Sequence, residues 1–285
     1  MKKIVSLVLL GIMCVMMLSA CSSSNSDKAS ESANTESVAE DKTEVKDDAQ
    51  TEEQTDAQTE GESKGTLIVG TNAEFPPFEY MGDDGQPDGF DMALIKEVGK
   101  RIGRDVQIEN MEFGSLIAAI GNKIDVAIAG MTVNDERKEA VDFSDNYYEA
   151  VQYVIVLKDT QAESIADLEN KTIGVQLGTT GMFTAEEISG ANVTSYNKGV
   201  DAVNDLINGR VDAVIIDKNP ALVFADKFSD KVEVIPGDKF EFAAEYYAIA
   251  CPKGSELTAE INEALKAIKE DGTFDQLVAQ YIEAN

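Results

Sequence analysis

The chain has 285 residues, 53 acidic against 24 basic side chains, a formal net charge of −29, three cysteines and no histidine. So acidic a protein is a poor partner for nucleic acid or for anionic lipid surfaces. Without histidine or a cysteine pair in its folded part, the usual zinc ligand sets and histidine acid–base catalysis are out of reach, no glycine fingerprint for phosphates or dinucleotides occurs, and no cofactor is expected.

Lys2 and Lys3 precede an apolar run over 4–18, the order of a secretory signal peptide covering 1–20. The run falls short of the ~20 residues that a membrane-spanning helix needs. It ends in Leu18-Ser-Ala-Cys21, which resembles the lipobox of bacterial lipoproteins. That resemblance implies that Cys21 becomes the first mature residue and carries diacylglycerol. The protein would then sit lipid-anchored on the extracytoplasmic face of the cell membrane, as on a Gram-positive cell surface. With Cys14 in the leader, only Cys251 remains, so no intramolecular disulfide is expected; its apolar surroundings mark it as a small core residue. Residues 21–64 comprise Cys21 and a linker whose 13 acids face 4 lysines, with no aromatic residue. Such a composition cannot bury enough surface to fold, and as a coil it would span roughly 35–40 Å, a tether between membrane and folded part. Of the chain's −29, the linker takes −9 and the leader +2, leaving −22 on residues 65–285. That surplus tilts weakly towards a cationic ligand.

From residue 65 the pattern alternates. A strand is predicted at 65–70, a helix at 91–101 with Asp91 as its N-cap, a strand at 106–108, a helix at 113–122 and a short buried strand at 124–129. This β-α-β-α-β half calls for a mostly parallel sheet. A second series follows, with strands at 153–157, 172–176, 193–196 and 213–216 and helices at 165–169, 181–188 and 202–208. Two C-terminal helices, 256–271 and 274–282, close the chain.

Open α/β sheets bind ligands outside the carboxyl ends of their strands. The strand at 124–129 ends in Ala129 and Gly130 and runs through Thr132, Asn134 and Asp135 into a helix start. This supplies free backbone N–H groups, the Thr132 hydroxyl and the Arg137 guanidinium, whose planar fork can meet both oxygens of a carboxylate. Gly130-x-Thr-x-x-x-x-Arg137 is followed by Asp142-Phe-Ser-x-x-Tyr147. Together these residues resemble the binding-site signature of the extracellular amino-acid-binding proteins of ABC importers, of the glutamine- and histidine-binding kind.

The resemblance implies a two-lobed, periplasmic-binding-protein-like α/β fold, each lobe a mostly parallel sheet flanked by helices, joined by a two-strand hinge. Lobe 1 would hold 65–149 and 248–285, and lobe 2 would hold 150–247. The chain would cross near 148–151 and return near 245–248, with the C-terminal helices packed on lobe 1. It also implies site residues. Phe75, in Thr71-Asn-Ala-Glu-Phe-Pro-Pro-Phe78, and Phe113 would wall the ligand's aliphatic stem. In Gln176-Leu-Gly-Thr-Thr-Gly181, Gln176 would line the site and Thr180 would join Thr132 and Arg137 on the ligand carboxylate. Asp217, ending Ala213-Val-Ile-Ile-Asp217, would take the ammonium. Asn72 stands where the family often carries an acid, and Glu74 is placed to compensate. The expected partners are a polar amino acid and a permease, for a single copy of the chain without catalytic activity. Two alternatives share the scaffold: a cyclohexadienyl-dehydratase-like enzyme using a cleft acid such as Glu74, and an extracellular amino-acid sensor.

Overall fold

Thr66–Thr71 begins the first sheet with Leu67 and Val69 fully buried. The computed structural model describes residues 64–283; the leader, Cys21 and the linker up to residue 63 lie outside them. The order of the first sheet is Asp105–Asn110, Thr66–Thr71, Val126–Ala127, Ala250–Pro252, Val141–Phe143. Thr66–Thr71 runs parallel to Asp105–Asn110 and Val126–Ala127, whereas Ala250–Pro252 is antiparallel to both of its neighbours. The second sheet runs Asn192–Tyr196, Thr172–Gln176, Ala213–Asp217, Tyr148–Leu157, Val232–Ile235. Its first three strands are parallel and Tyr148–Leu157 opposes both of its neighbours. Each sheet is thus mixed, mostly parallel with one reversed strand, and flanked by helices. This is the expected α/β class.

Tyr148–Leu157 links the two sheets' surroundings. Its N-terminal part pairs with Ala244–Tyr247 in the register Tyr148↔Tyr247 and Val151↔Ala244. The chain then passes directly into Ala250–Pro252 of the first sheet. On that sheet's flank, helix Phe90–Ile102 buries Met92, Leu94, Ile95, Val98 and Ile102 and ends at Gly103, whose φ of 74° suits a residue without a Cβ. The C-terminal helices Leu257–Glu270 and Thr273–Tyr281 pack against it: Phe274 meets Phe90 edge-on at 5.6 Å, and Arg101 pairs with Asp271 at 2.6 Å.

Several sequence expectations change. Asp91 caps nothing, because Gly89 is the N-cap and the Asp91 carboxylate turns inward to bond Gly130 and Tyr147. The helix expected at 113–122 shrinks to a 3₁₀ turn, Phe113–Ser115, and one α-turn, Leu116–Ala119, before Gly121 takes φ +78°. The strand at 124–129 makes ladder pairs only at Val126–Ala127. Helix Lys218–Lys227 and strand Val232–Ile235 have no counterpart in the sequence reading. Pro220 reads locally as a breaker, yet it lies in the first turn, where its missing N–H costs nothing. Cys251 is fully buried, and burial pushes its thiol up to about 11.

Candidate functional site

Helix Asp135–Ala140 starts at Asn134, whose side chain accepts from the Arg137 N–H at 2.8 Å. The cap fixes the first turn, so the Arg137 side chain can point back into the fold. There Nη1 donates to the Thr132 carbonyl (2.5 Å) and Nη2 to the Gly178 carbonyl (3.0 Å). Thr132 follows the first sheet and Gly178 follows a strand of the second, so one guanidinium reaches both. The Phe113 ring lies 5.3 Å from it. Burial lowers the Arg137 pKa, and the charges of Glu245 and Asp217 oppose that shift.

At the second sheet's edge, Thr179 is the N-cap of helix Thr180–Glu186, accepting from the Met182 N–H at 3.3 Å. This leaves the Thr180 hydroxyl free to face across the cleft, 3.5 Å from the Thr132 hydroxyl. Both hydroxyls donate to Oε2 of Glu245, and Gln152 Nε2 reaches the same oxygen at 3.3 Å. Asp217 ends a strand in which every residue is buried. Its carboxylate accepts from the Tyr247 hydroxyl at 2.6 Å. Burial, with the Glu245 charge nearby, raises its pKa to about 7.

The floor is the turn at Gly130. Its N–H donates to Asp91 Oδ2 at 2.8 Å, and the Tyr147 hydroxyl donates to the same oxygen. Burial raises Asp91 to about 6 even with those two bonds, and the buried Glu79 beside it is held well above the ordinary carboxyl range. Gly130 adopts φ +50°, and a Cβ there would lie 2.8 Å from the Phe75 ring. Asn72 Nδ2 donates to the Met111 carbonyl, and its Oδ1 accepts from Gln176 Nε2, each at 2.9 Å.

Asn72, Phe75, Phe113, Ala129, Gly130, Thr132, Arg137, Gln176, Thr180 and Asp217 line one cavity, joined by Thr179. The side chains close on it until about 10 Å3 remains free, room for about one water. Glu74 is not among them. It lies in the adjoining groove, which shares Asn72, and pairs with Lys198 Nζ at 2.5 Å. The arrangement can hold a small molecule carrying an anion beside Arg137 and a cation beside Asp217.

Residues 67–284 match the family described as bacterial extracellular solute-binding proteins, family 3. The chain belongs to this family. The arginine-binding extracellular protein ArtP of Bacillus subtilis (strain 168) is 39% identical over 220 residues, covering 75% of this chain and 85% of ArtP. The L-cystine-binding protein TcyJ of Escherichia coli (strain K12) is 31% identical over 227 residues, covering 78% and 84%. Among solved structures, the arginine-, lysine-, histidine-binding protein ArtJ of Geobacillus stearothermophilus superposes with a TM-score of 0.73 at 38% identity, covering 76% of this chain and 95% of ArtJ. These relatives are named as binding proteins, not as enzymes.

Sequence reasoning missed four contributors to this solute-binding protein's cleft: Glu245, Gln152, Tyr247 and Lys198. Gln152 and Tyr247 sit in apolar strand runs where they read as ordinary strand residues. Glu245 is an isolated acid in Ala244–Tyr247 and looks solvent-facing. Nothing local announces its partners, which lie 65 and 113 residues away in sequence.

Proposed function

We propose that this solute-binding protein is the amino-acid-binding component of an ABC transporter and captures a polar amino acid of the cationic, arginine-like class for import. One observation carries the reading. A buried guanidinium with two threonine hydroxyls and a buried carboxylate face a single cavity from opposite sheets. The ligand carboxylate goes to Arg137, and to Thr132 and Thr180 as their hydroxyls turn to it from Glu245. The α-ammonium goes to Asp217, and Phe75 and Phe113 enclose the aliphatic stem. The arginine-binding names of ArtP and ArtJ, and the net −22 of residues 65–285, support a cationic side chain.

With about 10 Å3 free, an amino acid enters only when the two sheets part. All its charges are then met only when they come together again. A ligand shifts such a balance only by binding the closed form better. Hydrogen bonds to charged groups contribute about 1.5–3 kcal/mol each, so three or four cover the roughly 8 kcal/mol of micromolar binding after the costs of ordering. The closed form is what a membrane permease recognises. Cys21 and the acidic linker tether a single copy of the protein to the outer face of the cell membrane.

The test is a thermal-shift screen against the common amino acids. Ligand at about 1,000 times its dissociation constant adds roughly 4 kcal/mol of stability. Arginine is expected to give a shift among the largest; no shift with any amino acid would remove the reading.

A further inference from the structure

Beside the closed cavity lies a groove of about 700 Å3. Asn72 lines both spaces and forms the wall between them, so the groove adjoins the seat for the ligand's stem. The groove's charged lining consists of Glu74, Glu112, Lys123 and Lys198. Glu74 comes from the short strand Glu74–Phe75 beside the first sheet. Lys198 is the N-cap residue of helix Gly199–Ile207, beside the second. Their side chains meet at 2.5 Å although 124 residues separate them.

Resting on the amino-acid reading above, we propose that the groove is the side-chain compartment of the cleft and that Lys198 is its specificity gate. The Lys198 ammonium holds Glu74, the acid that a cationic ligand side chain would otherwise take.

Three observations converge. Asn72 offers a cation no charge: it is a neutral amide whose oxygen already accepts from Gln176, leaving one lone pair, and whose nitrogen donates to Met111. Glu74 is therefore the carboxylate available just beyond it, and it is already paired. The pair is displaceable: its side chains are 25% and 45% exposed, and ion pairs so open to water are weakly held. A guanidinium brings a planar fork that an ammonium lacks, so arginine competes better than lysine for the same carboxylate. With Lys198 on Glu74, the groove's two acids balance its two lysines, which suits an amide. With Lys198 displaced, the acids prevail and suit a cation. Lys198 also faces Asp201 and Glu112, which can receive it when it leaves. The gate thus sets the ratio of cationic to neutral ligands while leaving the carboxylate and ammonium contacts alone.

Calorimetry on the full folded part with arginine and with glutamine tests this. Lys198→Met should tighten arginine binding about two- to fivefold, the scale of one partly exposed charge pair, and leave glutamine essentially unchanged. Glu74→Gln should weaken arginine by a similar factor, and the double variant should lose the gain from Lys198→Met. Equal changes for both ligands would mean that Lys198 only ties the cleft shut, and weaker arginine binding would mean that it helps the cation; either overturns the gate. Wild-type protein that binds neither amino acid overturns the arginine-like class and the gate with it. Binding of both without the differential overturns the gate alone.

Discussion

The hydroxyls of Thr132 and Thr180 stand 3.5 Å apart across the cleft and donate to the same oxygen of Glu245, at 2.8 and 2.7 Å. The three residues come from the loop after the first sheet, from a helix beside the second, and from the strand Ala244–Tyr247 that runs between the sheets. In this arrangement Glu245 ties the loop after the first sheet to the helix beside the second. Bonds to a charged acceptor contribute about 1.5–3 kcal/mol each, so Glu245 biases the protein towards closure before any ligand arrives. Glu245→Ala should open the protein on average, seen as a larger radius of gyration in small-angle scattering without ligand. Because the variant also frees the two hydroxyls that the ligand carboxylate needs, the affinity for all amino acids should shift by one common factor of no more than about tenfold. An unchanged radius would refute the tie.

Arg137 gives the second prediction. It is buried, and its Nη1 and Nη2 donate to backbone carbonyls on either side of the cleft, so it positions the site as well as charging it. Arg137→Lys keeps the charge but loses the fork, and cannot reach both carbonyls and a ligand carboxylate together. Amino-acid affinity should fall at least about 100-fold, the scale of one or two charge-assisted bonds, while circular dichroism stays native. Affinity within about threefold of wild type would remove Arg137 from the carboxylate seat.

The pH dependence follows from Asp217 and Asp91. Burial raises their folded-state values to about 7 and about 6, against roughly 3.9 for an unfolded aspartate. Between those limits the native state keeps protons that the unfolded chain has released. Stability without ligand therefore falls as pH rises from about 4 to about 7, and Glu79, also raised by burial, adds to the fall in the same direction. Ligand affinity runs the other way, because an ammonium needs the ionised Asp217. Between about pH 6 and pH 8 affinity should rise about tenfold, with proton release on binding at the lower pH. Calorimetry in buffers of different ionisation heat measures both, and Asp217→Asn should flatten the affinity profile.

Some of this was legible in the sequence and some was not, for identifiable reasons. The strand Thr172–Gln176 was readable with its observed bounds, because a short apolar run between a charged turn and a glycine turn has few other solutions. Gly130, Thr132 and Arg137 could be grouped because one loop carries them, and Asp217 could be found because it ends a buried strand. Asp91 was misread because a local cap and a buried long-range acceptor look alike until Gly130 and Tyr147 are placed beside it. Glu245 and Lys198 were invisible because their partners are set by how the sheets meet, which no window of sequence contains.

Gly130 offers a test of how finely the floor is set. Its φ of +50° lies in the left-handed region, where a Cβ is penalised, and a Cβ built there falls 2.8 Å from the Phe75 ring and 3.5 Å from Tyr247. The Gly130 N–H is also the donor that meets the Asp91 carboxylate. Gly130→Ala must therefore either push Phe75 into the cavity, where about 10 Å3 is free, or rotate the turn and break the bond to Asp91. Both outcomes damage the ligand's wall more than the sheet beneath it. The variant should lose about 1–3 kcal/mol of stability, the cost of one strained residue, and bind amino acids at least about tenfold more weakly. Phe75→Leu in the same background removes the clashing ring edge and should recover part of the stability but not the affinity. Thermal melts and calorimetry on the single and double variants separate the two effects; full recovery of both would show that the Phe75 ring takes no part in holding the ligand.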